Sequence, residues 1–183
     1  MTSKKSNLVL IGMPGAGKST LGVLLARRLG LDFTDTDLLI QRREGETLQQ
    51  IVDHRGHQRL RAIEADVLSQ LTVAGHVIAT GGSAVYSQEA MAALSRDGLI
   101  VHLHVELPVI LERVSDYETR GIARQPGQSL QDLYAEREAL YRQYADLSVD
   151  VGIPDHERAT DQVIAALRKS HALPLGSGIM PNS

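Results

Sequence analysis

Cysteine and tryptophan are absent from the 183 residues, and one phenylalanine with five tyrosines makes up the whole aromatic complement. Without thiols the chain can form no disulfide, no cysteine-ligated zinc finger and no thiolate nucleophile, and the redox state of its compartment is left open. A 3% aromatic share and a net charge of -3 lack the basic, stacking-rich character of nucleic-acid binders. No nucleic-acid partner is therefore expected, and any anionic ligand must be met by a local group of Arg and Lys. Long apolar runs are missing too. Behind the lysines of the first seven residues the run is only about six residues, too short for a signal-peptide core or a membrane helix. The expectation is a cytoplasmic protein with no membrane partner.

What is present suits one domain with a real core: 43% hydrophobic and 22% charged residues, near the globular average. A single domain over 1–183 is expected, acting as a monomer, with a core at about 7–170 and an aperiodic, disordered tail at about 171–183.

NLVLI (7–11) reads as a short buried strand. From Lys18, apolar residues Leu21, Leu24, Leu25 and Leu29 recur at helical spacing until Gly30 closes the turn. FTDTD (33–37) reads as a second strand ending in acids, followed by one helix from about Leu38 to His54. Leu60, Ile63, Val67, Leu68 and Leu71 mark an amphipathic helix. HVIAT (76–80) is a third strand, Gln88 to Leu94 a helix, and LIVHLHV (99–105) a fourth strand. Pro108 opens another helix, and the polar, Gly- and Arg-containing stretch 115–130 reads as a long mobile loop. A helix to about Ala145, a strand at 147–151 and a helix from about Asp155 to Lys169 complete the chain. Alternating strands and helices imply a five-stranded parallel sheet between two helical layers, with ligands at the carboxyl ends of the strands.

Gly12, Gly17, Lys18 and Ser19 fit G-x-x-x-x-G-K-[ST], with Pro14 and Gly15 inside the loop. Glycines let backbone N–H groups turn inward around phosphate oxygens, the following helix presents its positive end, Lys18 reaches the terminal phosphates and Ser19 can hold Mg2+. Gly15, Ala16, Gly17, Lys18, Ser19 and Thr20 are thus the nucleotide-phosphate candidates, with Mg2+ alongside.

Phosphoryl transfer further needs acids for the metal and the acceptor hydroxyl, and positive charge on the transferring group. Asp35 and Asp37, two apart in a strand, would point the same way. Arg61 falls in the amphipathic helix, where Glu64 three residues on could pair with it. Gly81 and Gly82 follow a strand, where bare backbone approaches a ligand or simply turns. Arg137 reads as either a ligand or a helix partner of Glu136 or Glu138. His54 and His57 find no third ligand at zinc-like spacing, and His102 and His104, on one strand face, read as packing beneath a helix.

The order of the phosphate loop, FTDTD, GHQRLRAIE, ATGG, an Arg-bearing loop and EREALYRQYA closely resembles the succession in shikimate kinases, small P-loop kinases of the nucleoside-monophosphate-kinase fold. The resemblance spans about 7–168. It implies a three-layer α/β/α fold with a mobile lid at about 115–130, and ATP-dependent phosphorylation of the 3-hydroxyl of shikimate. It further implies Asp37 as the acid on the substrate hydroxyl and general base, and Asp35 with Ser19 on the metal side. Arg61 and Arg137 would grip the carboxylate, with Gly81 and Gly82 along the substrate. Arg113 matches an adenine-side arginine and Arg120 the lid arginine on the phosphates, catalytic together with Lys18 and Asp37.

The match departs at four places. Ser83 holds the third glycine position of the motif, where its side chain enters the substrate space or its backbone takes an angle that glycine leaves free. RGIA (120–123) replaces a stiffer lid element, leaving Arg124 as a competitor of Arg120. His57 and Leu60 replace Glu and Phe near Arg61. A kinase for another small hydroxy acid or nucleotide, and an ATP-dependent binding module with incidental hydrolysis, are the alternatives.

Overall fold

A computed structural model describes residues 5–115, 117 and 120–170. The expected tail at 171–183 and part of the expected lid lie outside these residues. Five parallel strands, β1 (Asn7–Ile11), β2 (Asp32–Asp35), β3 (His76–Ala79), β4 (Gly98–His104) and β5 (Leu147–Asp150), form one sheet in the order β2-β3-β1-β4-β5. β1 lies at its centre and is buried at every position, which is why its sequence is continuously apolar from Leu8 on and does not alternate.

From β1 the chain first crosses toward β2 by way of α1 (Lys18–Leu29), then returns from β3 by way of α5 (Gln88–Asp97) to β4 on the other side of β1. Right-handed crossovers in opposite directions place their helices on opposite faces of the sheet, giving the three layers. α1 packs with α8 (His156–Lys169), and α5 with α4 (His57–Ser69). One consequence governs the site: the carboxyl ends of β2, β3 and β1 stand side by side. The register pairs Asp35 with Ala79 and Ala79 with Leu10, so the acidic turn, the glycine pair and the phosphate loop emerge at one level.

Two sequence expectations are corrected. β2 ends at Asp35, and Asp37 lies in the first turn of α2 (Thr36–Glu44). Asp35 is extended and caps that helix, its Oδ1 accepting from the Asp37 N–H at 3.0 Å; an aspartate that can satisfy the free N–H groups of a helix start stops the strand there. The two carboxylates therefore do not share a strand face. The single helix expected from Leu38 to His54 is two: α2 closes at Gly45 in the left-handed region (φ 70°), and Thr47 with Gln50 forms a capping box that opens α3 (Leu48–Arg55). The break folds α3 back over α4, and Ile40, Ile51, Leu60, Ile63, Val67 and Ala123 make a second small apolar cluster there. No helix among the described residues is long and apolar enough to cross a membrane.

Candidate active site

The phosphate loop leaves β1 and enters α1 through Gly17, which caps the helix without any side-chain hydrogen bond, and the first turn holds no acid. The N–H groups of that turn thus keep their capacity for an anion. Gly15 has φ 83°, and a Cβ there would strike Val114 Cγ2 at 2.5 Å, so the loop closes only with glycine. Lys18 is buried and rests on two carbonyls of its own loop, Gly12 at 2.7 Å and Met13 at 2.9 Å. Burial lowers its pKa to about 8, against the pull of Asp37. Thr20 is exposed at the mouth, whereas Ala16 is buried behind the loop with its N–H donating to Met13.

Ser19 Oγ donates to Asp35 Oδ2 at 2.6 Å. A hydroxyl and a carboxylate oxygen placed together beside a phosphate cradle are the hard donors that Mg2+ takes, with water completing its shell, so the residues present fit that ion. Asp37 faces the same cavity. Burial and then the neighbouring Asp35 push its pKa up to about 6, while Lys18 and Arg120 hold it down.

Glu64 on α4 is a site residue that sequence reasoning missed. It is 3% exposed and does not pair with Arg61 as its spacing suggested; it accepts a very short hydrogen bond from Ser83 Oγ, and its Oε1 is buried with no partner. Burial and then Asp37 raise its pKa to about 7. The signal was in the periodicity: with Leu60, Ile63, Val67 and Leu68, Glu64 sits on the buried stripe of α4, where a carboxylate is costly unless it has work to do. Ser83 has φ -96°, so serine here needs no glycine-only backbone, and its hydroxyl is committed to Glu64.

Arg137 on α7 (Leu130–Tyr144) is 1% exposed. Its Nη2 donates to the Ala123 carbonyl at 2.6 Å, and Arg61 Nη2 donates to that same oxygen at 3.3 Å. Between them stands Tyr86, missed in the sequence because nothing in its neighbourhood marks it. The Arg61 guanidinium lies 3.7 Å from the Tyr86 ring centre and that of Arg137 5.4 Å. Neither arginine is ion-paired with a described carboxylate: Glu136 is taken by Tyr86 and Gln128, and Glu138 by histidines and Arg142. Arg61 Nε is buried with no hydrogen bond at all. A Cβ on Gly82 would sit 2.6 Å from Arg137 Nη1 and 3.0 Å from Pro14 Cδ, so bare backbone lets the guanidinium and the phosphate loop close on one another. The Gly82 carbonyl is held by Tyr141 Oη at 2.7 Å.

These groups surround one cavity of about 360 Å³. Gly15, Gly17, Lys18, Ser19 and Thr20 line one end, with Arg113 and His156 beyond them; Asp37, Glu64, Gly81, Gly82, Ser83 and Arg137 line the other. Arg113 donates to the Gly15 carbonyl at 3.4 Å and to Ile153 at 3.1 Å. Arg120 lines this cavity, whereas Arg124 donates to Gln128 at 3.3 Å and stacks on Tyr117. Gly121 to Ala123 are pinned: the Gly121 N–H donates to Gln49 Oε1 at 2.5 Å, and Ile122 and Ala123 are buried. Ala16, Asp35 and Arg61 are not among the residues that line the cavity.

The family model for shikimate kinase matches residues 14–168. A shikimate kinase of Methylococcus capsulatus is 37% identical over 169 residues, covering 91% of this chain and 94% of its own. One from Pseudomonas aeruginosa is 38% identical over 166 residues, covering 89% and 96%. Among solved structures, a shikimate kinase from Acinetobacter baumannii in complex with shikimate superposes with a TM-score of 0.82 at 30% identity, covering 90% of this chain and 94% of that one.

Proposed function

The chain belongs to the shikimate kinase family, and on that premise we propose the part each cavity residue takes in moving the terminal phosphoryl group of ATP to the 3-hydroxyl of shikimate. The phosphate loop holds the nucleotide phosphates through its inward N–H groups, and Lys18 leaves its two carbonyls to follow the charge of the transferring group. Ser19 and Asp35 would hold Mg2+, which would supply charge neutralisation to the phosphates. Arg113 flanks the nucleotide, and Arg120 neutralises the phosphates from across the cavity.

At the acceptor end Arg137 binds the shikimate carboxylate, with Arg61 behind it as a second positive charge held over Tyr86. Asp37 accepts the hydrogen bond of the attacking hydroxyl and takes its proton; a carboxylate with pKa near 6 is ionised at neutral pH yet basic enough for that task. Glu64 braces Ser83 and keeps the Gly81–Ser83 turn in place beneath the ring.

A single observation carries the acceptor assignment: Arg137, buried and lining the cavity with Asp37 and the phosphate loop, and Arg61, half-buried beside it, meet at the Ala123 carbonyl with no described carboxylate as partner. A buried cation of this kind is costly until an anion arrives. In a coupled ADP-release assay, shikimate is expected to stimulate turnover strongly, and an analogue with the carboxylate reduced to an alcohol to lose on the order of 100-fold in kcat/KM. Equal turnover of the two would remove the reading.

A further inference from the structure

His102 and His104 take no part in the cavity. Two apart on β4, they leave the same face of the sheet, and Glu138 of α7 comes down against both. His102 Nε2 lies 3.4 Å from Glu138 Oε2, and His104 Nδ1 lies 2.9 Å from Glu138 Oε1. All three donor atoms fall within 4.8 Å of one another. Tetrahedral bonds of about 2.0–2.1 Å set ligand atoms about 3.3 Å apart, and each ring nitrogen already stands at close to that spacing from one oxygen of the Glu138 carboxylate. His104 Nδ1 is buried yet makes no hydrogen bond. The outer nitrogens, by contrast, are engaged: His102 Nδ1 is 3.0 Å from Ser148 Oγ, and His104 Nε2 is 3.5 Å from Glu106 Oε1. Partners of this kind on the far ring nitrogen fix imidazole tautomer and orientation around a metal.

We propose that His102, His104 and Glu138 form a site for a divalent transition-metal ion of the zinc type, separate from the Mg2+ position at Ser19 and Asp35. Two imidazoles and one carboxylate favour such an ion over Mg2+, which takes oxygen, and water fills the fourth position. His104 is 18% and Glu138 12% exposed at the side chain, which opens a path for entry. Arg142, whose Nε is 3.1 Å from Glu138 Oε1, is 68% exposed and swings into water as the ion binds. The ion ties α7 to the end of β4 behind the acceptor pocket. Glu138 directly follows Arg137, and the His102 ring stacks on Tyr141 at 5.2 Å, the residue that holds the Gly82 carbonyl.

The test uses the full chain without an affinity tag, stripped with EDTA and titrated with Zn2+ by calorimetry and with Co2+ by visible absorption. One ion per chain, tetrahedral Co2+ bands and a raised Tm are expected. H104N and E138Q should each weaken Zn2+ binding by about 100-fold or more, and S148A, which leaves the three ligands in place, by about tenfold. Asp35→Asn should leave the Zn2+ stoichiometry unchanged. If H104N or E138Q fails to fold by circular dichroism, S148A decides. Substoichiometric Zn2+ binding, or wild-type affinity in the folded variants, would overturn the assignment.

Discussion

At the residue scale the cavity is a set of charges held where water cannot screen them. Lys18, Glu64 and Arg137 are buried and Asp37 partly so, and the pKa shifts of Lys18, Asp37 and Glu64, each away from the charged form, state what that burial costs. For the two acids the sign is clear: folded values of about 6 and 7 lie above the ordinary 3.8 and 4.5. Their contribution to stability is therefore full below about pH 4 and lost as pH rises through 6 to 7. Glu64→Gln should stabilise the unliganded protein at pH 8 and leave it nearly unchanged at pH 4; equal destabilisation at both, measured by urea unfolding, would contradict the buried-acid assignment. In activity, kcat/KM should fall on the acid side through about pH 6 to 7 as Asp37 and Glu64 protonate as a coupled pair. Lys18→Ala should lower kcat by at least about 100-fold with the fold intact, since the interaction strengthens as charge shifts in the transition state. Arg137→Ala should act chiefly on the shikimate KM, because its grip on the carboxylate is present in ground and transition states alike.

The elements explain why these residues can be so exact in place. Asp35 serves three structures at once: it ends β2, caps α2 and receives the Ser19 hydroxyl. All three need only an oxygen acceptor, whereas holding a cation together with Ser19 calls for charge. Asp35→Asn should therefore keep stability within about 0.5 kcal/mol, since Asn caps as well as Asp, while raising the Mg2+ concentration needed for half-maximal rate. Asp35→Ala should lose both, with about 0.5–2 kcal/mol of stability gone. If the two variants were equally unstable, the cap would not be the structural role. The α2–α3 break at Gly45 has a similar double effect. It brings α3 over α4 and supplies Gln49 to anchor Gly121, which in turn sets the Ala123 carbonyl that both arginines share.

Across the whole molecule the sheet divides the work. The phosphate loop at the centre of the sheet and the turns after β2 and β3 together with α7 line one cavity; on the proposed assignment the first serves the nucleotide and the others the acceptor. Each ligand stabilises the folded state by its own occupancy, about 2.7 kcal/mol at 100 times its Kd. Shikimate and ATP analogues should therefore each raise Tm on their own. Arg137→Ala should abolish the shikimate shift and spare the nucleotide shift; loss of both would mean that Arg137 holds the fold together and is not confined to one ligand.

The strand–helix alternation, the phosphate loop and the identity of most cavity residues were readable in the chain, because each rests on local rules: buried strands are continuously apolar, amphipathic helices repeat at 3.6, and phosphate loops need glycine. What depends on contacts between distant segments was not readable. The placement of Asp37 on a helix, the Ser83–Glu64 bond, the stacking of Arg61 on Tyr86 and the choice of Arg120 over Arg124 in the cavity all join positions far apart in sequence or turn on the choice between strand and cap. Sequence alone determined which chemical groups this protein carries and on which kind of element. Only the tertiary structure decided which of them are buried together, because burial, and with it the strength of every charge in the cavity, is a property of packing and not of any local run of residues.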